Sequence, residues 1–323
     1  MRKVLLYKKI PEHALATLKA HFDVSYFEKI DDTNKIDFFS ALAETEGLIG
    51  SSVDMSPEIL DKASKLKAAS TISVGTDQYD LNYLANRNIP LMHTPGVLNE
   101  TTADTIFTLI MCAARRAVEL SNMVREGRWT ENIGEAHFGT DIYGKTLGII
   151  GMGRIGYAIA KRAHLGFDMK IQYSNRSQKP DAERDFNATY MDMTSLLKTS
   201  DFICVMTPLT SETKGLIGKA EFAMMKQSAI FINGSRGKVI DEPALIDALE
   251  NGVIRAAGLD VFDVEPLPAS SPLCKMNNAI VFPHIGSATS ETRHNMVNCA
   301  IVNLINALNG DISQNCANKD LLN

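Results

Sequence analysis

The sequence predicts an α/β protein built from two doubly wound parallel sheets. Short apolar runs alternate with helix-length segments along the chain, which is the pattern of parallel β-α-β units. A length of 323 residues is too great for one ordinary core and suits two domains. Apolar residues make up 45% and charged residues 22% of the chain, as is typical of folded globular proteins.

The apolar runs predict two series of strands separated by one long helix, from about Thr101 to Glu126. The first series comprises Val4 to Tyr7, Gly47 to Gly50, Ala69 to Val74 and Ile89 to His93. The second comprises Thr146 to Ile150, Lys170 to Ser174, Asp201 to Met206, Ala229 to Asn233, Ala257 to Val261 and Ile280 to Pro283. Continuous apolar runs of this kind indicate strands that are buried on both faces. A final helix is predicted from Glu291 to Asn309.

Charge and composition bear on several classes of partner. A net charge of -5 gives no basic face for a nucleic acid. No run of about 18 apolar residues is present, and the apolar start is too short for a secretory leader, so we expect a cytoplasmic protein with no membrane segment. The five cysteines are widely spaced and form no Cys-x-x-Cys pair, which predicts reduced thiols and neither disulfides nor a metal centre.

A glycine-rich turn indicates a dinucleotide site. Gly151, Gly153 and Gly156 directly follow an apolar strand and open a helical segment that runs to about Leu165. The first glycine permits a tight turn, the second lets the backbone approach a pyrophosphate, and the third permits close packing of helix and strand. A further strand follows at Lys170 to Ser174, which is the context that this motif requires.

The residues after that second strand predict which dinucleotide is bound. An Asp or Glu is expected there when the ribose 2'-hydroxyl of NAD is held, but this chain has Asn175, Arg176 and Ser177. Arg176 can pair with a 2'-phosphate, and its two neighbours can donate hydrogen bonds. NADPH is therefore the predicted cofactor, with NADH as the alternative if Arg176 is a solvated loop residue.

A second phosphate-binding pattern is rejected on its context. Gly139 to Thr146 satisfies G-x-x-x-x-G-K-T, but a phosphate loop needs a strand before it and a helix after it. Here a predicted strand follows, and no strand-like run precedes. We therefore do not expect a nucleoside triphosphate site.

Three ionisable residues follow the ends of late strands, namely Arg236, Glu265 and His284. Ligands bind at the carboxyl ends of the strands in an open parallel sheet, so these side chains are expected to meet. Reduction of a carbonyl builds negative charge on its oxygen and needs a proton donor and an anion clamp. His284 suits the first role and Arg236 the second, while Glu265 can orient the imidazole and favour its protonated form.

These residues belong to motifs that resemble those of the D-2-hydroxyacid dehydrogenases. The motifs are Asn233 to Gly237, Gly258 to Phe262 with the Glu265-Pro266-Leu267 run, Pro283 to Ser287, the glycine-rich turn, and Ser73 to Asp77. The similarity covers nearly the whole chain. Within the family the chain resembles the bacterial glyoxylate/hydroxypyruvate reductases that also reduce 2-ketogluconate.

The resemblance implies a role for each matching residue. Arg236 would hold the carboxylate and carbonyl oxygen of a small 2-oxo acid, His284 would be the acid/base and Glu265 its partner. The amides of Val74 and Gly75 would bind the carboxylate. The implied cofactor-binding residues are Thr102, Gly151, Gly153, Arg154, Ile155, Gly156, Asn175, Arg176, Ser177, Thr207, Pro208, Asp260, His284 and Gly286.

The resemblance also implies the architecture and the assembly. A Rossmann cofactor domain, residues 99–292, would be inserted into a flavodoxin-like substrate domain formed by residues 1–98 and 293–323, and a homodimer would form through the cofactor domain. NADPH-dependent reduction of a 2-oxo acid to a D-2-hydroxy acid is the expected activity. Two alternatives stay open: a nicotinamide-sensing regulator with this fold, and another dehydrogenase of the family, such as a phosphoglycerate or formate dehydrogenase.

Overall fold

The computed structural model describes residues 1–322, which form two compact units. Unit 1 comprises Met1–Leu98 together with the C-terminal segment from Ala288, and unit 2 comprises Asn99–Ser287. The chain thus returns to unit 1 at Ala288, before the residue 293 that the sequence indicated. The return is early because the C-terminal helix, which packs on β3 and β4, already begins at Ser290.

Unit 1 is built on a five-stranded sheet of order β2-β1-β3-β4-β5 in which every pair is parallel. This is the flavodoxin-like order. Its strands are β1 (Lys3–Leu6), β2 (Asp23–Tyr26), β3 (Gly47–Gly50), β4 (Ala68–Thr71) and β5 (Leu91–Met92). Its helices are α1 (Glu12–His21), α2 (Lys35–Glu44), α3 (Pro57–Leu60), α4 (Leu81–Asn86) and the C-terminal helix (Ser290–Leu308).

Helices cover both faces of the unit 1 sheet. Buried side chains of α2, α3 and α4 pack against Leu5 and Leu48 on one face. The other face is covered by α1 and by the C-terminal helix, which lies on β3 and β4. A β-carbon at Gly47 would lie only 3.0 Å from Leu308 Cδ1, and Ser70 Oγ donates a 2.8 Å hydrogen bond to the carbonyl of Ala300. The last helix is therefore part of the core of unit 1.

Unit 2 is built on a seven-stranded parallel sheet of order β12-β11-β10-β9-β6-β7-β8. Counted from β6, this is the Rossmann order 3-2-1-4-5-6 with one added strand. Its strands are β6 (Thr146–Ile150), β7 (Lys170–Ser174), β8 (Thr189–Tyr190), β9 (Phe202–Val205), β10 (Ile230–Asn233), β11 (Ala256–Leu259) and β12 (Ala279–Val281). Its helices are α5 (Asn99–Arg115), α6 (Ala117–Arg125), α7 (Arg154–Phe167), α8 (Pro180–Phe186), α9 (Met193–Thr199), α10 (Lys219–Met224) and α11 (Glu242–Glu250).

The central strand β9 of unit 2 is apolar at every position because both of its faces are covered. In β9, Phe202 and Cys204 pack with α5, α7 and α8. Ile203 and Val205, which alternate with them, pack with α9, α10 and α11 on the opposite face. Successive residues of a strand point to opposite faces, so two helix layers require a continuous apolar run. The α/β, doubly wound prediction is confirmed for both units.

The structure corrects two predictions of secondary structure. The long helix predicted from Thr101 to Glu126 is two helices, because Arg116 adopts a left-handed conformation with φ 53° and interrupts it. The guanidinium of Arg116 there forms a bidentate pair with Glu119, at 2.7 and 2.8 Å. The strands β2 and β8 were not predicted, since both are short, with β2 partly exposed and β8 exposed at both residues.

The rejected phosphate-binding pattern lies in a loop that leads into β6. Thr146, its last residue, is the first residue of that strand, and no helix follows it directly. The predicted context of Gly139 to Thr146, with a strand directly after it, is thus what the structure has. Among the described residues, no helix combines the length and the apolar character that crossing a bilayer requires.

A buried pair of tyrosines provides a test of the packing in unit 1. The hydroxyls of Tyr7 and Tyr79 lie 2.6 Å apart, and both side chains are buried. Replacing Tyr7 by Phe leaves the Tyr79 hydroxyl without its partner, so we expect the free energy of unfolding to fall by about 1–3 kcal/mol. In the Tyr7→Phe/Tyr79→Phe double variant no hydroxyl is left unpaired. Its free energy of unfolding, measured with urea, should therefore recover part of that loss. A double variant that is destabilised by the sum of both single changes would contradict the pairing.

Candidate active site

The structure places the three ionisable residues of the prediction after three adjacent strands of unit 2. Arg236 follows β10, Glu265 follows β11 and His284 follows β12, and these strands are neighbours in the sheet. Because the strands are parallel, their carboxyl ends lie at the same edge. The three side chains are therefore brought to one edge of the unit 2 sheet.

His284 and Glu265 form a direct pair. The Nδ1 atom of His284 lies 2.7 Å from Oε2 of Glu265, and the other carboxylate oxygen accepts a 3.0 Å hydrogen bond from the amide of Phe262. An ionised carboxylate can only accept, so Nδ1 carries the hydrogen of this bond. The remaining ring nitrogen, Nε2, is left to exchange a proton with a ligand.

The surroundings keep Glu265 ionised. Partial burial by itself would raise the pKa of Glu265, but hydrogen bonds from the His284 side chain and the Phe262 amide lower it, and the net pKa is below the ordinary value. The positive charge of Arg236 acts in the same direction. The carboxylate therefore remains a hydrogen-bond acceptor for the imidazole at neutral pH.

The loop that carries His284 is held by a buried carboxylate. Asp260 is 2% exposed and accepts hydrogen bonds from the amides of Ile285, at 2.7 Å, and Gly286, at 2.8 Å. His284 has a φ of 53°, a conformation that is uncommon for residues other than glycine and needs support from its surroundings. The bonds to Asp260 supply that support. Burial raises the pKa of Asp260, against the lowering effect of these two bonds.

The loop that carries Arg236 is fixed in a similar way. Asn233 is fully buried; its side chain donates to the carbonyl of Arg236 at 3.0 Å and accepts from the Ser235 hydroxyl at 2.8 Å. A β-carbon at Gly237 would lie 1.9 Å from the carbonyl carbon of Phe262. Only glycine permits this approach, which holds the Arg236 loop against the segment that leads to Glu265.

A cavity of about 510 Å³ opens beside the His284 and Glu265 pair. Its other lining residues are mainly apolar: Phe262, Pro266, Leu267, Val281, Phe282 and Pro283. A small apolar cavity with two polar groups at its wall is the usual form of a site for a small molecule.

The glycine-rich turn has three different environments at its three glycines. Gly151 has a φ of 102°, and a β-carbon there would lie 2.8 Å from the Met206 backbone. A β-carbon at Gly156 would lie 2.6 Å from the carbonyl oxygen of Gly151. By contrast, a β-carbon at Gly153 would have no described atom within 4 Å. Gly151 and Gly156 are thus required by packing, whereas Gly153 faces open space at the start of α7.

The surroundings of this turn fit a dinucleotide. The hydroxyl of Thr207, which follows β9 beside Gly151, is buried without a hydrogen-bond partner among the described residues. Such a group is costly unless a ligand satisfies it. The amides at the start of α7 have no side-chain cap, and they can bind a pyrophosphate. Arg154 and Ile155 are in that first turn, and Pro208 is exposed next to Thr207.

Two other groups of predicted cofactor residues are placed as follows. A β-carbon at Gly286 would lie 3.1 Å from Asp260 Oδ2 and 3.3 Å from Thr102 Cγ2, so these three residues meet. After β7, the side chain of Asn175 donates to the carbonyl of Ser177 at 2.9 Å and closes a turn. This turn leaves the side chain of Arg176 exposed at its tip.

Val74 and Gly75 lie in unit 1, in the loop after β4. Their carbonyl oxygens are engaged: His93 Nδ1 bonds to that of Val74 at 3.0 Å, and Ser73 Oγ donates to that of Gly75 at 2.6 Å. Neither of their amides donates a hydrogen bond within the described residues. The loop therefore presents two unpaired N–H donors, which is the arrangement that binds an anion. No role for His93 was predicted from the sequence, in which its only signal is its place just after β5.

Known proteins are similar to this chain in sequence and in fold. The family model for the D-isomer specific 2-hydroxyacid dehydrogenase NAD binding domain matches residues 107–286. Glyoxylate/hydroxypyruvate reductase B of Cronobacter sakazakii is 53% identical over 315 residues, covering 98% of this chain and 97% of that protein. The enzyme of the same name from Klebsiella pneumoniae subsp. pneumoniae is 52% identical, with 98% of each chain covered.

Solved structures agree with these matches. A protein from Thermus thermophilus superposes with a TM-score of 0.88 at 38% identity, covering 98% of this chain and 99% of that one. An NADPH-dependent glyoxylate/hydroxypyruvate reductase from Sinorhizobium meliloti, solved with NADP and malonate, has a TM-score of 0.82 at 28% identity, covering 95% and 93%.

The family model spans more than half of the chain, and the relatives extend that match over almost all of it. Together with the paired histidine and glutamate and the glycine-rich turn, they confirm the predicted family. The chain belongs to the D-isomer specific 2-hydroxyacid dehydrogenases and is an NAD(P)-dependent oxidoreductase.

Proposed function

We propose that this enzyme reduces glyoxylate, hydroxypyruvate and 2-ketogluconate to D-2-hydroxy acids, with NADPH as the preferred cofactor. The observation that carries the proposal is the 2.7 Å bond between His284 and Glu265, at the same sheet edge as Arg236. The names of the relatives from Cronobacter and Klebsiella support the first two substrates. The third rests on the resemblance of the motifs.

The roles of the side chains follow from their chemistry. A bound nicotinamide cofactor supplies the hydride that adds to the carbonyl carbon of the substrate. Protonated His284 donates its Nε2 proton to the carbonyl oxygen, and Glu265 stabilises the positive ring before that transfer. Arg236 binds the carboxylate and the carbonyl oxygen, where negative charge develops. The amides of Val74 and Gly75 are proposed as further donors to the carboxylate.

The cofactor residues are proposed from the environments described above. The amides at the start of α7, including those of Arg154 and Ile155, bind the pyrophosphate beside Gly151, Gly153 and Gly156. Thr207 and Pro208 contact the adenosine half. Thr102, Asp260 and Gly286 surround the nicotinamide end, with His284 at its reacting face. Asn175, Arg176 and Ser177 hold the 2'-phosphate.

The assembly and the location are part of the same proposal. Exposed apolar side chains on and after α5 and α6, among them Met111, Val124, Trp129 and Phe138, favour a homodimer formed through unit 2, since large exposed apolar patches mark protein contacts. A cytoplasmic location remains a prediction from the sequence.

The direct test is turnover by the purified chain. We expect oxidation of NADPH, followed at 340 nm as is usual for this cofactor, with glyoxylate and with hydroxypyruvate, and slower oxidation of NADH. The alternative of a nicotinamide-sensing regulator predicts cofactor binding with no turnover of any 2-oxo acid. A phosphoglycerate dehydrogenase would instead prefer phosphohydroxypyruvate. Either result would overturn the proposal.

Replacing His284 by Ala removes the proposed proton donor. We expect kcat for hydroxypyruvate to fall by about 10²- to 10⁴-fold, while NADPH binding is still detected by fluorescence. His21→Ala is the matched control, because His21 is an exposed histidine at the end of α1, and its kcat should equal that of the wild type. A kcat within a few-fold of wild type in His284→Ala would reject the role.

Replacing Gly153 by Ala separates cofactor binding from folding. The added methyl group meets no described atom, so the thermal midpoint should stay close to that of the wild type. Because the methyl group lies where a pyrophosphate approaches the helix, the dissociation constant of NADPH should rise by about ten-fold or more. Gly156→Ala, whose methyl group would clash with the Gly151 carbonyl, should instead lower the thermal midpoint. Unchanged NADPH affinity in Gly153→Ala would place the pyrophosphate elsewhere.

Replacing Arg176 by Asp should shift the cofactor preference towards NADH. The change removes the proposed partner of the 2'-phosphate and adds a repulsive charge, and one charge-assisted bond corresponds to about ten- to hundred-fold in preference. The measurement is the ratio of kcat/KM for NADPH to that for NADH. Lys170→Asp carries the same charge change at the opposite end of β7 and should keep the ratio. A ratio in Arg176→Asp equal to that of the wild type would refute the phosphate contact.

A further inference from the structure

Unit 1 has a second polar cluster at the carboxyl edge of its sheet, which the roles above do not use. Lys8 follows β1, and Ser51 and Ser52 follow β3. β1 and β3 are adjacent in the sheet. The next strand along the chain, β2, lies on the other side of β1. The gap between β1 and β3 is thus the topological switch point of the sheet, where doubly wound proteins bind ligands.

Lys8 is a half-buried cation with no ion-pair partner in residues 1–322. Its ammonium is 3.4 Å from the hydroxyl of Ser52, which is a weak contact for a charged donor. Burial, and then the positive charge of Arg293 on the C-terminal helix, lower the pKa of the Lys8 side chain. A lysine that is held beside another cation without a carboxylate still needs acceptors for its hydrogens.

The serine side of the cluster is also unusual. Ser52 has a φ of 65°, a left-handed conformation that costs free energy in a residue other than glycine and that concentrates at functional positions. Its hydroxyl lies between Lys8, at 3.4 Å, and the buried hydroxyl of Ser51, also at 3.4 Å. The cluster therefore offers one charged donor and two hydroxyls. Because their mutual contacts are long, each group can form a shorter hydrogen bond with a ligand.

The cluster shares its edge with the loop proposed to bind the substrate carboxylate. Val74 and Gly75 follow β4, which pairs with β3, so Lys8, Ser52 and that loop follow three consecutive strands of the sheet. Strands in a sheet are about 4.8 Å apart, so the span from the β4 loop to the β1 end is on the order of 10 Å. A 2-oxo acid with several carbons beyond the carbonyl has this length, whereas glyoxylate has no atoms beyond it.

We propose that Lys8, with Ser51 and Ser52, binds the hydroxylated tail of longer 2-oxo acids and so determines substrate specificity at the site proposed above. A hydroxyl of the tail accepts from the lysine and donates to a serine oxygen, which uses both kinds of group in the cluster. An anionic tail could only accept from the lysine and the serine hydroxyls, and the comparison with oxaloacetate below distinguishes it from a hydroxylated tail. A site built to hydrogen-bond a substrate hydroxyl discriminates strongly against analogues that lack it.

The test compares kcat/KM for 2-ketogluconate, hydroxypyruvate and glyoxylate in the full-length wild type and in Lys8→Met. Loss of one charge-assisted hydrogen bond corresponds to about ten-fold or more. We therefore expect the ratio of kcat/KM for 2-ketogluconate to that for glyoxylate to fall by at least about ten-fold. The ratio for hydroxypyruvate, which has a single tail hydroxyl, should fall less.

Matched variants provide the controls. Lys9→Met removes the neighbouring lysine, which is exposed and paired with Glu28 at 2.6 Å, and both ratios should stay at the wild-type values. Lys8→Arg keeps a charged donor and should recover part of the 2-ketogluconate ratio. Because glyoxylate serves as an internal reference, a general loss of folded enzyme lowers all three rates together and leaves the ratios unchanged.

Three outcomes would overturn the inference. Unchanged ratios in Lys8→Met would mean that the lysine does not contact the tail. Oxaloacetate, a 2-oxo acid with a carboxylate tail, is assayed in the same way, and a loss confined to it would make the cluster an anion site instead. The inference rests on the proposed function, and a wild type that reduces none of the three acids would reject both, whereas active wild type with unchanged ratios rejects the role of Lys8 alone.

Discussion

The two hydrogen bonds from the amides of Ile285 and Gly286 to Asp260, at 2.7 and 2.8 Å, are the constraint on which the candidate active site depends. They join the loop after β12 to the end of β11, and they hold His284 in a left-handed backbone conformation. In that conformation Nδ1 of His284 reaches the carboxylate of Glu265. The imidazole is thereby fixed before any ligand binds, which is the preorganisation that acid/base catalysis requires.

The two units share one architectural feature but have different chemical groups at it. In each of them a parallel sheet brings polar groups to the carboxyl ends of its strands, as in other open α/β sheets. Unit 2 has charged side chains there, held by Asp260 and Asn233. Unit 1 has backbone amides at Val74 and Gly75, with Lys8 and two serine hydroxyls on the neighbouring strand ends. The first set suits proton and charge transfer, and the second suits binding and selection of the substrate.

Much of this could be predicted from the sequence because the signals are local. The Gly151 to Gly156 turn predicts a strand, a turn and a helix, and continuous apolar runs such as Phe202 to Met206 indicate strands that are covered on both sides. The places of Arg236, Glu265 and His284 follow from the strands that precede them. The family, the fold and the nicotinamide-dependent chemistry could all be inferred from these segments.

The remaining features depend on contacts between distant residues. No residue near Arg116 predicts a helix end from the sequence. The structure shows that the helix is interrupted at Arg116 and that the Arg116 side chain pairs with Glu119. The support that Asp260 gives to the His284 loop spans 25 residues. Both partners lie in motifs of the sequence, but only the fold shows that they bond to each other. Likewise, Lys8 is one of two adjacent lysines, and only the fold shows that Lys9 pairs with Glu28 while Lys8 faces Ser52.

The most direct measurement of the central claim, that His284 exchanges the proton of the reaction, is the pH dependence of kcat/KM in both directions. Reduction of hydroxypyruvate needs the protonated ring, and oxidation of D-glycerate needs the neutral ring. We predict opposite trends, so that reduction weakens and oxidation strengthens as the pH rises. Profiles that rise or fall together in the two directions would contradict it.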